Sequence, residues 1–190
     1  ALSFFEQAVT PKDRAALVTF HDHPNLTSKY SNSIAKLAGG LAGLKAERGT
    51  ALYDSLVFAL YYFNGNKGPR ALVLLYDGQD EHSNFSWEDT LEYARRAGVA
   101  IYTIGLNLPR KQDVRRKLEQ LAQETGGRRF LVEDASELPS IYETIQKELR
   151  SRYFLAYQSS NTTEDEEFRF IDVKISRSGV DAKTMRGYYP

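Results

Sequence analysis

The stretch "LVLLYDGQDEHSNFS", residues 72 to 86, runs five apolar or aromatic residues into Asp77-Gly78 and then into a loop holding Asp80, Glu81 and His82. A carboxylate at the end of a buried strand has three readings: an acid for catalysis, an oxygen ligand for a metal, or the polar residue that stops the strand. The last is the plainest, because Asp bonds nearby backbone amides and Gly takes positive φ, so Asp-Gly makes a turn unaided. A second candidate is "RGTALYD", where Thr50 precedes a strongly helical segment and puts a hydroxyl at its entrance. Alone, such a Thr is most often an N-cap. Together, the hydroxyl and the carboxylate are hard oxygen donors of the kind Mg2+ accepts, though two donors do not complete a site.

Other constellations carry less. His21, Asp22 and His23, taken with His82, are transition-metal ligands by type, but the first three sit in a turn before Pro24 and nothing in the sequence brings His82 to them. No G-x-S-x-G elbow is present, and Ser83 and Ser86 fall in a loop and a helix cap, so acyl transfer has no support. "GGLAG", residues 39 to 43, lies within a helical pattern instead of after a strand, which excludes a dinucleotide loop. The acidic run 164–167 lacks the alternating oxygen spacing of calcium loops, and Asn161 in "NTT" is only formally a glycosylation acceptor.

The elements that must position Thr50 and Asp77 are legible in the hydrophobic pattern. Leu2, Phe5 and Val9 recur at helical spacing before Thr10-Pro11. "AALVTF" reads as a strand, and "LTSKYS" as an antiparallel edge strand returning after "HDHPN". A helix carrying Ile34, Leu37 and Leu41 follows, then one carrying Leu52, Leu56, Leu60 and Phe63. From there strands alternate with helices: "ALVLLY", "SWEDTLEYARRAG", "VAIYTIGL", residues 113–125, "RRFLVE", residues 136–150, and "RYFLAYQ". Such alternation means crossover connections and a parallel sheet. Ser86 and Asp89 have capping-box spacing, and Gly98 and Gly126 stand where helices should stop. After the polar loop "QSSNTTEDEE", the segments "FRFIDVKIS" and "VDAKTM" read as the two arms of a β-hairpin.

Composition narrows the function classes. Lys and Arg total 25 and so do Asp and Glu, so the basic bias of a general nucleic-acid binder is missing. No apolar run approaches the roughly 20 residues that span a bilayer, so membrane insertion is not expected. The absence of cysteine excludes disulfides, thiolate metal sites and Cys nucleophiles, and fits either a reducing compartment or an exported bacterial protein.

"DRAALVTF", "GTALYDSL", "ALVLLYDGQD" and "GVAIYTIGL", in this order and spacing, resemble successive core segments of a von Willebrand factor type A (vWA) domain. The ending from "YFLAYQ" to "MRGYYP" resembles the tail of bacterial VWFA-related proteins. The resemblance implies a three-layer Rossmann-like α/β fold, with a mainly parallel sheet, one antiparallel edge strand and a C-terminal β-hairpin. Residues 1–157 would form the domain, N-terminally incomplete, and residues 158–190 its hairpin extension.

In that family a metal-ion-dependent adhesion site takes ligands from a DxSxS motif after the first strand, a Thr before a helix, and an Asp after the fourth strand. Thr50 and Asp77 match the last two, with Asp80 and Gly78 as neighbours behind them. The DxSxS motif and its strand have no counterpart here. The missing strand is the central one of the family's sheet, between "AALVTF" and "ALVLLY", and the expectation is that an upstream segment, or something else, fills its place. Mg2+ or Mn2+ would then bind weakly or not at all without that segment. The resemblance implies a protein-binding module, not an enzyme, engaging a protein ligand through an acidic residue, in an extracytoplasmic or secreted bacterial setting. Its alternatives are a metal-independent structural or assembly domain holding partners through the hairpin and Tyr188 and Tyr189, and, remotely, a phosphoryl hydrolase using Asp77 with Asp80. The sequence fixes neither the partner nor the oligomeric state.

Overall fold

The computed structural model describes residues 5–6, 9–44, 49–78, 80–108, 112–153, 155–161, 163, 165–180 and 182–190. Strand β1 (Ala15–Phe20) turns back through His21–His23 into β2 (Pro24–Ser31), and the two pair antiparallel from Ala15↔Ser31 to Phe20↔Pro24. Helices α1 (Ile34–Ala42) and α2 (Leu52–Tyr61) follow. Then come β3 (Ala71–Tyr76), α3 (Trp87–Ala97), β4 (Ala100–Leu106), α4 (Gln112–Thr125), β5 (Arg129–Val132) and α5 (Leu138–Arg150). Strands β3, β4 and β5 form a parallel sheet in that order, in register from Ala71↔Ala100 and from Thr103↔Arg129. The expected parallel sheet and antiparallel edge strand are both present.

Alternation along the strands sorts the core into two layers, as the pleat requires. Leu72, Leu74 and Tyr76 of β3 and Ile101 of β4 pack with Leu52, Leu56 and Leu60 of α2, Trp87 and Leu91 of α3, and Leu118 and Leu121 of α4. Ala71 and Val73, with Tyr102 and Ile104, face Ile141, Tyr142 and Ile145 of α5 on the other side. Burying one such Leu or Ile is worth about 1.5–3 kcal/mol, so these two clusters fix the orientation of β3 and hence of its carboxyl end. Leu2, expected on an opening helix, lies outside the described residues; Phe5 and Glu6 are helical, and Phe5 is buried.

The α3 boundaries follow from its termini. Ser86 accepts from the Asp89 amide at 3.1 Å while Asp89 reaches back to the Ser86 amide at 3.2 Å, a reciprocal capping box. At the other end Gly98 turns left-handed, φ 61°, where a side chain would be strained.

The sheet is divided. Strands β1 and β2 pair with each other, β3 to β5 pair among themselves, and among the described residues no ladder joins β1 to β3. Across the gap the Phe20 and Tyr76 rings stand 6.4 Å apart. This is the position at which the family resemblance puts a central strand.

The C-terminal part differs from the sequence expectation in two places. "RYFLAYQ" forms no strand among its described residues, and Tyr153 and Leu155 are exposed; apolar alternation gives the propensity, but a strand also needs an edge to pair with. The hairpin is reduced to β6 (Arg169–Phe170) and β7 (Gly187–Tyr188), paired antiparallel. Its second arm is therefore "GY", not "VDAKTM". A Cβ on Gly187 would run into the Arg169 carbonyl and the Phe168 ring, so glycine permits this pairing.

That pair is docked onto the ends of α3 and α4. Glu124, 3% exposed, accepts from Arg95 of α3 at 3.1 Å and from Arg186 of the tail at 3.1 Å. The Arg186 amide bonds the Glu124 carbonyl at 3.1 Å. Arg96 lies 4.0 Å from the centre of the Tyr189 ring and Arg95 5.3 Å from that of Phe168, cation–π geometry in both cases.

Candidate functional site

Three loops meet at the carboxyl end of β3: the His21–His23 turn, residues 49–51 entering α2, and residues 77–78 with 80–83. Ligands of open α/β sheets bind at this end. The Ala51 amide donates to the His21 carbonyl at 2.6 Å. Gly49 has φ 93°, and a Cβ on it would overlap the Asp22 carboxylate, so glycine is needed twice over to bring the turn against the α2 entrance. The Thr50 carbonyl accepts from the Glu81 amide at 2.9 Å and the His82 amide at 3.1 Å, and the Thr50 amide faces His82 Nδ1 at 3.4 Å.

Thr50 is not the cap of α2. The N-cap position is Ala51, which has no side chain to bond with. The orphan amides are satisfied from the other loop instead: Asp80 Oδ1 accepts from Leu52 at 2.7 Å and Tyr53 at 3.3 Å, and Ser83 Oγ accepts from Tyr53 at 3.0 Å and Asp54 at 3.1 Å. Ser83 in turn donates to Asp80 Oδ1 at 2.6 Å. Asp54 returns the interaction by accepting from the Asn84 and Phe85 amides at 2.8 and 2.9 Å. A carboxylate at a helix entrance also meets the positive end of the helix dipole. Sequence reasoning passed over Ser83 and Asp54 in this role. The signal available was the polar spacing of "QDEHSN", which does not say which helix it will cap.

With capping assigned elsewhere, the Thr50 hydroxyl makes no hydrogen bond to another described residue. Gly78 lies beside it, since a Cβ built there would stand 3.9 Å from Thr50 Oγ1. Asp77 is exposed at the same strand end, and Asp80 is half-buried. His82, which the sequence could not connect to the "HDH" turn, comes within 3.9 Å of Asp22 through Nδ1. The His21 and His23 rings meet edge to face at 4.7 Å. Among the described residues, however, no three His, Cys, Asp or Glu side chains gather as metal ligands, which removes the transition-metal reading of this turn as a self-contained site.

The rim is acidic: Asp22, Asp77, Asp80 and Glu81 come from two of its three loops, and such a field favours a cation. The donor set is of the right kind for Mg2+ or Mn2+, being carboxylate and hydroxyl, and numerically short, since these ions take about six oxygens. Asp80 Oδ1 is already surrounded by donors, whereas Asp77 is exposed and the Thr50 hydroxyl bonds no other described residue.

Residues 2–144 match the model of the von Willebrand factor type A domain. The chain belongs to the von Willebrand factor type A family. Domains of this family generally take part in protein interaction or adhesion. Solved structures agree on the fold. The vWF domain of the type V pili tip protein Mfa5 from Porphyromonas gingivalis superposes with TM-score 0.64 at 12% identity, over 82% of this chain and 88% of that one. An aerotolerance-related membrane protein from Bacteroides fragilis gives 0.61 at 15% identity, over 80% and 87%. A von Willebrand factor type A protein from Catenulispora acidiphila gives 0.63 at 16% identity, over 78% of this chain but 36% of that one. At such identities the likeness is one of fold. No curated protein matches the chain. Among the described residues of this vWA domain, no helix is long and apolar enough to cross a membrane.

Proposed function

We propose that this vWA domain is a protein-binding module, not an enzyme, that engages its partner at the rim formed by Thr50, Asp77 and Gly78. The observation that carries the reading is the Thr50 hydroxyl, which makes no hydrogen bond to another described residue. It is relieved of helix capping by Asp80 and Ser83, stands against Gly78, and shares the carboxyl end of β3 with an exposed Asp77. Thr50 would contribute its hydroxyl to a divalent cation directly or through water, and Asp77 its carboxylate; Gly78 leaves room for both. Bound there, Mg2+ or Mn2+ would offer an open coordination position to an acidic residue of the partner. Asp80 acts behind them by fixing the α2 entrance.

The remaining oxygens would come from a DxSxS-bearing strand seated between β1 and β3. Supporting this, among the described residues no ladder joins β1 to β3, and the Phe20 and Tyr76 rings stand across that place. An extracytoplasmic bacterial setting is favoured by likeness in fold to a pilus tip protein and a membrane protein. The test is a Mn2+ titration by calorimetry on the chain joined to such a strand, beside its Asp77→Ala variant. Saturable binding that the variant loses is the expected result. Absence of binding in both would overturn metal-bridged adhesion.

A metal-independent binding reading draws on a different observation. Tyr153, Leu155 and Phe170 are exposed at 91%, 74% and 73%, whereas Tyr188 and Tyr189 are half-buried beneath Tyr157, Phe168 and Arg96. Partner binding that survives chelation and is lost in Leu155→Asp would favour this face over the rim.

A further inference from the structure

Helix α2 leads towards β3 through "YYFNGNKGPR", residues 61–70. The chain carries seven asparagines, and Asn64 alone is followed by glycine. The side-chain amide of an asparagine is open to attack by the backbone nitrogen of the next residue. That attack is hindered by the next residue's Cβ and by hydrogen bonds that hold either group in place. A glycine removes the first hindrance, because nothing on its Cα blocks a close approach.

The structure removes the second. Asn64 and Gly65 are both exposed. Gly65 has φ 78°, and nothing lies within 4 Å of the place its Cβ would take. The turn is held by the neighbours of the reacting groups: the Phe63 and Asn64 amides donate to the Leu60 and Tyr61 carbonyls at 3.1 and 2.9 Å, and the Asn66 amide to that of Phe63 at 3.0 Å. Among the described residues, neither the Asn64 side chain nor the Gly65 amide has a hydrogen-bond partner. Other asparagines are tied down: Asn32, Asn66, Asn84 and Asn161 bond Pro11, Tyr62, Asp54 and Thr163 through their side chains.

We propose that Asn64 is a site of spontaneous covalent modification, deamidation through a succinimide. The Gly65 nitrogen attacks Asn64 Cγ and forms the ring; the Cγ–Nδ2 bond breaks, and Nδ2 leaves as ammonia with the proton that the Gly65 nitrogen gave up. Water, the only co-reactant, then opens the ring at one of its two carbonyls. Opening at Cγ leaves aspartate, and opening at the main-chain carbonyl leaves isoaspartate, with the backbone rerouted through the side chain. Either product sets a carboxylate just beyond the last turn of α2, where the helix already carries negative partial charge. Isoaspartate also adds a carbon to the main chain between α2 and β3. The inference does not depend on a metal at the rim, which lies at the other end of α2.

The experiment ages the native chain in chelator at neutral and at mildly alkaline pH, beside the same chain unfolded in denaturant. Samples are read by peptide mapping with mass spectrometry, and by an isoaspartate-specific carboxyl methyltransferase with labelled S-adenosylmethionine. Asn64→Gln is the paired variant; its longer side chain does not close a succinimide, and it disturbs no hydrogen bond of the fold. The expected result is isoaspartate at position 64 of the native chain, forming at least roughly tenfold faster than at any of the other six asparagines, a barrier difference of about 1.4 kcal/mol. Conversion should quicken as pH rises, because the attacking nitrogen must lose its proton. Methyl labelling of the peptide carrying position 64 should be lost in Asn64→Gln. An intact Asn64 in the native chain, whether or not the unfolded chain converts, would overturn the assignment, and so would faster conversion at another asparagine.

Discussion

Replacing Asp80 with Ala separates its capping role from any role in metal binding. In the folded chain Asp80 Oδ1 accepts from the Leu52 amide, the Tyr53 amide and the Ser83 hydroxyl at 2.7, 3.3 and 2.6 Å. Tyr53 keeps Ser83 Oγ at 3.0 Å after the change, but the Leu52 amide, in a residue only 4% exposed, has no replacement. A lost helix cap costs about 0.5–2 kcal/mol and a buried unpaired amide about 1–3 kcal/mol. The two overlap, so a total of about 2–3 kcal/mol is expected, or a fall in Tm of about 4–12 °C for a chain of this size. Asp80→Asn keeps an acceptor oxygen and loses only the charge assistance, about 1 kcal/mol. The assay is a thermal melt of wild type, Asp80→Asn and Asp80→Ala in chelator, with Ser83→Ala as a second removal from the same cluster. A Tm for Asp80→Ala within about 1 °C of wild type would refute the capping argument. Loss of Mn2+ binding at unchanged Tm would then make Asp80 a ligand.

Glu124→Gln should release the C-terminal pair from α3 and α4. Because Arg186 is 56% and Arg95 26% exposed, the cost is about 1–3 kcal/mol, below the full value of a buried pair, and limited proteolysis should cut faster between residues 151 and 167. On the acid side, the Ser86 hydroxyl and amide hold the Asp89 carboxyl below its ordinary value of 3.8. A depressed folded pKa gives stability that is present above the unfolded value and lost as pH falls through the folded one. Stability should therefore drop as pH falls below 3.8, and Asp89→Asn should flatten that part of a Tm-against-pH curve while lowering Tm at neutral pH through the weakened capping box.

What the sequence disclosed and what it did not divide along the range of the interactions. "AALVTF" and "ALVLLY" could be read to the residue because a run of apolar residues between turn signals admits little else. Ser86, Asp89 and Gly98 were legible because caps act within a few positions. The commoner role of such a Thr, an N-cap, is not taken by Thr50 for the opposite reason: its helix is capped by Asp80 and Ser83, some 28 to 30 positions further on, and no local pattern states that pairing. The approach of His82 to Asp22 was hidden in the same way. "RYFLAYQ" carried strand propensity without an edge to pair with, and "GY" at 187–188, too short to register as a strand, took the place beside "RF" at 169–170. For the proposed site, Thr50 and Asp77 came from type, order and family resemblance, and the structure adds that helix capping does not occupy the Thr50 hydroxyl, Asp80 and Ser83 taking that role.

The mutual grip of Asp80, Ser83 and Asp54 has a consequence for how the rim moves. The amides of Leu52, Tyr53 and Asp54 are held by the 80–83 loop, and those of Asn84 and Phe85 are held by Asp54 of the helix. Neither side can let go without freeing the other. The five amides should therefore exchange with solvent deuterium as one group, at a single opening free energy. A partner that shifts the loop would have to carry the first turn of α2 with it, as one rigid piece.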